Sequence, residues 1–524
     1  MSPKPPSVLL LMVDQLAASW LPAYGHDVVS SPNLTALARE GVTFDAAYCA
    51  SPLCAPSRAS LLTGLLPSRT GVYDNAAEMR ASLPTVTHQL RAAGYATTLA
   101  GKMHFVGPDQ LHGFEERLTP DVYPAGLDWT PDWRAPMDER LPWYHTMESV
   151  LRPGVCAASM QMDYDDEVAA RGVRALRDIA RDGARRPFFL TVSFTHPHDP
   201  WELRPRYWDR YDPGAIDLPA VEPIPREAAD PHSLRLRDMA GIDEVELTEE
   251  QVRRARHAYY AAVAYADERI GEVLEALHET GLDESTIVLF TADHGEFLGE
   301  RGLWYKMAFL DPAARVPLLA WAPGRLAPGR IAEPVSLLDL APTLLELAEH
   351  PAAAELAGGM DGRSLAPLLG ARGDRGVEGG AGAGTATGDV VAEYLAEGVN
   401  SPALMLRRGR HKYIWCEDDP EQLYDLEADP HERTNLAGDR EHAELCAALR
   451  AEVGRRWDPA ALRHAVLADQ ADRRLVVAAL RRGRPERWDF SPRPTPAFVR
   501  GSDDLYALQR RARLDTPAGR DGRR

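Results

Sequence analysis

The chain is 524 residues long and 45% apolar, which allows two or three domains and a large core. Its 59 Lys and Arg against 78 Asp and Glu leave a net charge of -19, so no nucleic-acid partner is expected and any anion site must be a local cluster of Lys, Arg and His. Five cysteines (Cys49, Cys54, Cys156, Cys416 and Cys446) are too scattered for a disulfide scaffold, no apolar run is long enough to span a bilayer, and Met1 to Ser7 lack the apolar stretch of a secretory leader; a cytoplasmic protein with no membrane partner is the expectation.

Val8 to Val13 is a continuous apolar run, suited to a strand covered on both faces, and it ends at Asp14. Ser31-Pro32-Asn33 opens a short helix that runs to Glu40, and Val42 to Ala47 reads as a second strand. It leads into Ser51-Pro52-Leu53-Cys54-Ala55-Pro56-Ser57-Arg58-Ala59-Ser60-Leu61-Leu62-Thr63-Gly64. Here a thiol precedes a helix, where the positive helix end and Arg58 both lower a thiol pKa and favour an anion. Asn75 lies in a polar turn. Pro84 to Ala93 reads as a helix closed by Gly94, and Tyr95 to Ala100 as a strand ending in Gly101-Lys102-Met103-His104. A Lys and a His two residues apart at a strand end share a side, which suggests an anion clamp.

Residues 105 to 160 are rich in Trp, Tyr, Pro and His, and include Trp129, Trp133, Trp143, Tyr144 and His145. Most of these rings are expected to pack, and a wall of ring faces also suits an organic cation. Asp163 to Ala180 reads as a helix. Pro187 to Phe194 is a strand that delivers Thr195-His196-Pro197-His198, two histidines suited to a metal or to acid–base work. Thr248 to Thr280 is a long helix closed by Gly281. Thr286 to Thr291 is a strand ending in Ala292-Asp293-His294-Gly295, and Lys306 follows in a loop.

Four apolar strands thus end in Asp14, Lys102 with His104, His196 with His198, and Asp293 with His294. In an open α/β sheet, ligands bind beyond the carboxyl ends of the strands, so these groups are expected to converge on one crevice. Farther on, 371–388 is a Gly/Ala-rich flexible loop, Val390 to Leu395 and Ala403 to Cys416 read as strands, the latter folded at Arg408-Gly409, and the tail is basic. The expected division is 1–370 as the catalytic domain, 389–460 as a smaller α+β domain, and 461–524 as an extension.

The Cys54-Ala55-Pro56-Ser57-Arg58 run with Leu62-Thr63-Gly64 resembles the signature of the type I sulfatases. Gly107 to Glu116, the Leu423 to Pro430 segment and Leu514-Asp515-Thr516 extend the likeness over most of the chain, in particular to the choline-sulfatase branch. The resemblance implies an α/β, alkaline-phosphatase-like fold: a large mixed sheet flanked by helices, with a smaller C-terminal α+β domain. It implies that a formylglycine-generating enzyme oxidises Cys54 to formylglycine, whose hydrate attacks sulfur. Asp14, Asp293, His294 and residue 54 would hold one divalent cation, with Ca2+ first and Mn2+ or Mg2+ as alternatives. Many sulfatases have a second Asp where this chain has Gln15. Arg58 would hold the hydrate, Lys102 and Lys306 would neutralise sulfuryl charge, His198 would protonate the leaving oxygen, and His104 would take the last proton.

For the substrate, the resemblance implies choline-O-sulfate, whose quaternary ammonium must be held by ring faces and carboxylates. Asn75, Trp129, His145, His196, Glu393 and Asp515 are the residues carried over for it. A homo-oligomer, tetramer or dimer, is implied, the extension of one subunit helping to close a neighbour's pocket. An arylsulfatase or a phosphonate monoester or phosphodiester hydrolase of the same superfamily is the alternative enzyme. A catalytically silent metal- or sulfate-binding protein is the alternative outside enzymes.

Overall fold

The computed structural model describes residues 5–122, 126–136, 140–370 and 388–482. Residues 371–387 of the Gly/Ala-rich loop and 483–524 of the extension, Asp515 among them, lie outside the described residues.

The core is a nine-stranded sheet. Its main strands are β1 (Ser7–Val13), β2 (Val42–Tyr48), β3 (Ala96–Gly101), β4 (Phe188–Ser193), β5 (Thr286–Ala292) and β6 (Arg315–Trp321). Their order across the sheet is β2-β6-β5-β1-β4-β3, with short strands completing both edges. β3, β4, β1 and β5 are parallel neighbours. β6 runs antiparallel to both β5 and β2, which makes the sheet mixed and points β2 the same way as the parallel set. The apolar run of β1 is explained by its place: it is flanked by two strands and buried along its whole length. Burying Leu9, Leu10 and Leu11 stabilises the fold by about 1.5–3 kcal/mol each.

Helix α1 (Cys54–Thr63) follows β2 and is buried at every residue. Gly64 closes it in the left-handed conformation, with φ 68°. Two long helices, α2 (Met160–Arg181) and α3 (Glu249–Glu279), pack on one another. Thr248 caps α3, accepting the Gln251 N–H while Gln251 reciprocates, a capping box that fixes where the helix begins. A separate four-stranded antiparallel sheet contains β7 (Val390–Tyr394), β8 (Ala403–Arg408), β9 (His411–Cys416) and β10 (Asp419–Asp425) in chain order. Arg408 and His411 pair at the fold between β8 and β9. Buried Lys412 joins the two sheets through the Phe309 carbonyl, Asp311 and Glu432. The first part of the C-terminal extension is helix α4 (Pro459–Leu480), which packs on its own chain.

Two backbone positions bring the strand ends together. Gly101 ends β3 with φ 107°, and a Cβ there would stand 1.9 Å from the Ser193 carbonyl oxygen on β4, so only glycine lets the chain turn into Lys102. Gly295 lies just beyond β5, where a Cβ would meet the Pro312 oxygen at 2.0 Å.

Candidate active site

The parallel strands and β2 release their carboxyl ends at one edge of the sheet, and the polar groups meet there. Cys54 is the first residue of α1 and only 2% exposed. Its Sγ lies 3.1 Å from His294 Nε2 and 3.9 Å from Asp14 Oδ1. Arg58, one helical turn along, donates from Nε to Asp293 Oδ2 (2.7 Å) and from Nη2 to Asp14 Oδ2 (3.1 Å). Its Nη1 donates to the Lys102 carbonyl and Ser193 Oγ. Removing Arg58 would leave two buried carboxylates short of countercharge, a loss of about 3–5 kcal/mol.

Lys102 Nζ pairs with Asp14 Oδ2 at 2.6 Å. Burial and the thiol both push the Asp14 carboxyl up, but Lys102, His198 and Arg58 hold it below its ordinary value. Burial likewise opposes ionisation of Cys54, yet Lys102, Lys306 and His294 hold the thiol well below its usual range. Asp293 differs: burial and the nearby Asp14 raise it despite Arg58.

Asp14, Cys54, Asp293 and His294 present four ligand atoms within 4.8 Å of one another. His294 Nδ1 lies 3.0 Å from the Gly295 carbonyl and donates to it, which leaves Nε2 for the cluster. The Asp293 carboxylate is oriented by the N–H groups of Gln15 (3.1 Å) and His294 (3.0 Å). Two oxygen donors, an imidazole and a side chain at a helix start fit a hard divalent cation, whose charge would relieve the repulsion between the two acids.

His104 sits beside this cluster in the left-handed conformation, φ 57°. The strain is held by Asp121, whose Oδ2 accepts the N–H groups of Met103 (3.1 Å) and His104 (2.8 Å) and is fixed by Arg117. On the opposite side, Lys306 Nζ lies 2.9 Å from His198 Nε2. His198 Nδ1 donates to the Asp199 carbonyl at 2.7 Å, which fixes the ring. Gln15 explains its own departure from the two-Asp pattern. Its Nε2 donates to Glu296 Oε2 (2.6 Å), and its Oε1 accepts from Lys306 Nζ, so the amide aims the lysine instead of offering a carboxylate.

The cavity above Cys54 continues from this cationic end into an aromatic end. Trp129 and Trp143 stack with centroids 6.1 Å apart, and Trp129 meets His104 edge-on at 6.4 Å. His145 stacks on Tyr305 at 4.2 Å. Asn75 lines the cavity and also accepts the Ala55 N–H at 2.9 Å. Glu397 lines the cavity too. It is 3% exposed, and its Oε2 has no hydrogen-bond partner among the described residues. Burial, with Asp74 nearby, pushes the Glu397 carboxyl up to about 8.

Two expected substrate contacts lie away from the cavity in this structure. His196 does not line the cavity: its Nδ1 lies 2.7 Å from Asp165 Oδ2 and its ring abuts Tyr265 inside the protein. β4 ends at Ser193, so strand alternation no longer governs residues 196 and 198. Glu393 is also elsewhere. It lies within β7, and its carboxylate accepts from the Ser68 N–H (2.7 Å), Ser68 Oγ (2.7 Å) and Trp457 Nε1 (2.6 Å). Those three donors hold it as a structural acid, while Glu397 lines the cavity. Sequence reasoning also passed over Asp121, Asp199 and Glu296, whose work is to aim the residues it did find.

Comparison with known proteins fits this geometry. The sulfatase family model matches residues 6–350, the model for the C-terminal region of N-sulphoglucosamine sulphohydrolase matches 299–457, and that for the choline sulfatase C terminus matches 464–514. The chain is 46% identical over 513 residues to the choline-sulfatase of Rhizobium meliloti, covering 96% of this chain and 97% of that one. It is 29% identical to an arylsulfatase of Clostridium perfringens, over 85% of this chain and 93% of that one. Among solved structures, the phosphonate monoester hydrolase of Silicibacter pomeroyi superposes with a TM-score of 0.67 at 26% identity, covering 86% of this chain and 95% of that one. The Agrobacterium radiobacter phosphonate monoester hydrolase, at 24% identity over 88% of this chain and 96% of that one, shares the fold with a TM-score of 0.64. By the extent of the sulfatase match and the near full-length relative, the chain belongs to the sulfatase family.

Proposed function

We propose that this sulfuric ester hydrolase cleaves choline-O-sulfate to choline and sulfate. The observation that carries the reading is one cavity lined by two unlike sets of groups: Lys102, Lys306 and Cys54 in one, and Trp129, Trp143 and a Glu397 oxygen with no hydrogen-bond partner among the described residues in the other. A sulfate monoester of a quaternary ammonium alcohol needs both, since its ammonium has no N–H to donate and is held by ring faces and a carboxylate.

Formylglycine, formed from Cys54 by a formylglycine-generating enzyme, would supply the nucleophilic oxygen. Asp14, Asp293, His294 and residue 54 would hold one divalent cation, Ca2+ first with Mg2+ or Mn2+ as alternatives, which would supply Lewis acidity to that oxygen and to the sulfuryl group. The chain's own residues do the rest. Arg58 keeps the carboxylates and residue 54 in register. Lys102 and Lys306 neutralise charge on the sulfuryl oxygens. His198, aimed by Asp199, delivers a proton from Nε2 to the leaving choline oxygen, and His104 takes a proton from the side chain at 54. Asn75 and His145 line the same cavity. A homo-oligomer in the cytoplasm is the expected working form; no helix among the described residues is long and apolar enough to cross a membrane.

The test compares choline-O-sulfate with its neutral carbon isostere, 3,3-dimethylbutyl sulfate, and with p-nitrophenyl sulfate and a phosphonate monoester. A kcat/KM for choline-O-sulfate about 30-fold above the isostere is expected from one desolvated cation–π contact. Negligible turnover of choline-O-sulfate overturns the reading, and a faster phosphonate monoester would favour the activity named for the Silicibacter pomeroyi neighbour.

A further inference from the structure

Helix α4 is far in sequence from every group in the cavity, yet it reaches back to three of the segments that shape the cavity's aromatic end. Arg473, 6% exposed, forms a two-pronged pair with Asp74: Nη1 to Oδ1 at 2.8 Å and Nη2 to Oδ2 at 2.7 Å. Its Nη1 also donates to Thr130 Oγ1 at 3.0 Å. Asp469, one turn earlier on α4, holds the guanidinium from behind through Nε at 2.8 Å and Nη2 at 2.6 Å.

Each partner is one step from a cavity residue. Asp74 is wholly buried, accepts the Ala76 N–H at 2.9 Å and immediately precedes Asn75, which lines the cavity. Thr130 follows Trp129 directly, and its hydroxyl closes the turn Leu127–Trp129 on the Leu127 carbonyl at 2.6 Å. The same helix makes a second, independent contact: Gln470 Oε1 accepts the Trp133 N–H at 2.9 Å, and Trp133 Nε1 donates to the Ala396 carbonyl at 2.7 Å, next to Glu397. A guanidinium fork is rigid and matches a carboxylate in two places, so it fixes distance and angle together. Neither Asp74 nor Thr130 has a strand to hold it; Arg473 joins them.

We propose that Arg473 is a positioning residue for the leaving-group half of the cavity, which it sets by tying the Trp129 turn to the Asn75 turn from helix α4. Arg473 touches neither end of the substrate. It acts through Trp129 and Asn75, and its loss frees the aromatic wall while the cationic end, held by Arg58 and Lys102 on separate elements, stays assembled. The identity of the leaving group as choline rests on the reading above; the role of Arg473 does not.

The experiment measures kcat and KM for choline-O-sulfate and p-nitrophenyl sulfate in full-length wild type, Arg473→Met, Arg473→Lys and Thr130→Val, with a thermal melt of each. Arg473→Met is expected to raise KM for choline-O-sulfate about tenfold with kcat within about threefold, and to leave kcat/KM for p-nitrophenyl sulfate within about threefold. Arg473→Lys keeps the charge without the fork and is expected to recover part of the loss. Equal losses on both substrates, or unchanged KM in Arg473→Met, would overturn the role. Should Arg473→Met not fold, Thr130→Val decides: a raised KM for choline-O-sulfate supports the proposal and an unchanged one overturns it. If wild type ignores the ammonium group, the choline reading falls by itself, and the same KM-against-kcat split is read on whichever alkyl sulfate the wild type prefers.

Discussion

The two ends of the cavity are built by different means. At the cationic end, Asp14, Lys102 and Asp293 stand just beyond the ends of buried strands, Cys54 and Arg58 on the first two turns of α1 and Lys306 in the loop after β5, and they are bound to one another or to a neighbour: Arg58 to Asp14 and Asp293, Lys102 to Asp14, Gln15 to Lys306. At the aromatic end, Trp129 sits in a short turn, Glu397 in the turn after β7, and their supports come from α4, more than three hundred residues along the chain from the Trp129 turn. A shared core strand ties the first end to the stability of the whole fold, so it tolerates little change. The second end is a set of side contacts and is the part in which specificity varies at small structural cost.

That contrast is sharpest where the two ends act on the same bond. His198→Ala removes the proton donor of the cationic end. It should slow choline-O-sulfate, whose leaving alkoxide needs protonation, by about 10^2–10^4-fold. p-Nitrophenyl sulfate, with a good leaving group, should lose far less. Parallel losses on both esters would mean that His198 serves the fold or the sulfuryl group instead.

Glu397 provides a smaller test at the other end. Its carboxyl is raised to about 8 by burial, so the group is mostly neutral at pH 7 in the free protein. A bound ammonium favours the ionised form, so binding the cation must become easier as pH rises toward that value and level off above it. The ratio of KM for 3,3-dimethylbutyl sulfate to KM for choline-O-sulfate should therefore increase between pH 6.5 and 8, by at most about tenfold per pH unit. In Glu397→Gln this slope should vanish. A slope that survives the substitution would place the titrating group elsewhere.

The smallest effect should come from Glu393. Its three donors make it a structural acid, so Glu393→Gln should cost about 1–3 kcal/mol of stability, seen as a lower Tm, and leave the choline-to-isostere preference unchanged. Loss of that preference without loss of stability would restore Glu393 as a substrate contact and undo the distinction between the two acids.

The same contrast governs what was legible in the sequence. Asp14, Lys102, His104, Asp293 and His294 could be found because each ends a run of apolar residues, and the carboxyl edge of a parallel sheet is where such ends gather. The Cys54 signature needed only local reading. Glu397 carries no such mark: the run Val390–Tyr394 ends before it, and the acid that the resemblance carried over was Glu393, inside the run. Glu393 stands inside β7 and Glu397 in the turn that follows it, and that difference in place separates them. Strand alternation could not place His196 and His198, since their strand stops at Ser193, and only the resemblance gave them different roles. The pairing of β6 with β2, which helps turn the sheet mixed, and the tie from Arg473 to Asp74 and Thr130 join residues hundreds apart in the chain, which no local pattern encodes.

The most direct test of the account is a crystal structure of Cys54→Ala with choline-O-sulfate bound, since the variant can neither be oxidised nor cleave the ester. The account predicts the sulfuryl oxygens beside Lys102 and Lys306 and the trimethylammonium against Trp129 with Glu397 within contact. A sulfuryl group away from both lysines, or an ammonium group turned out of the aromatic end, would contradict it.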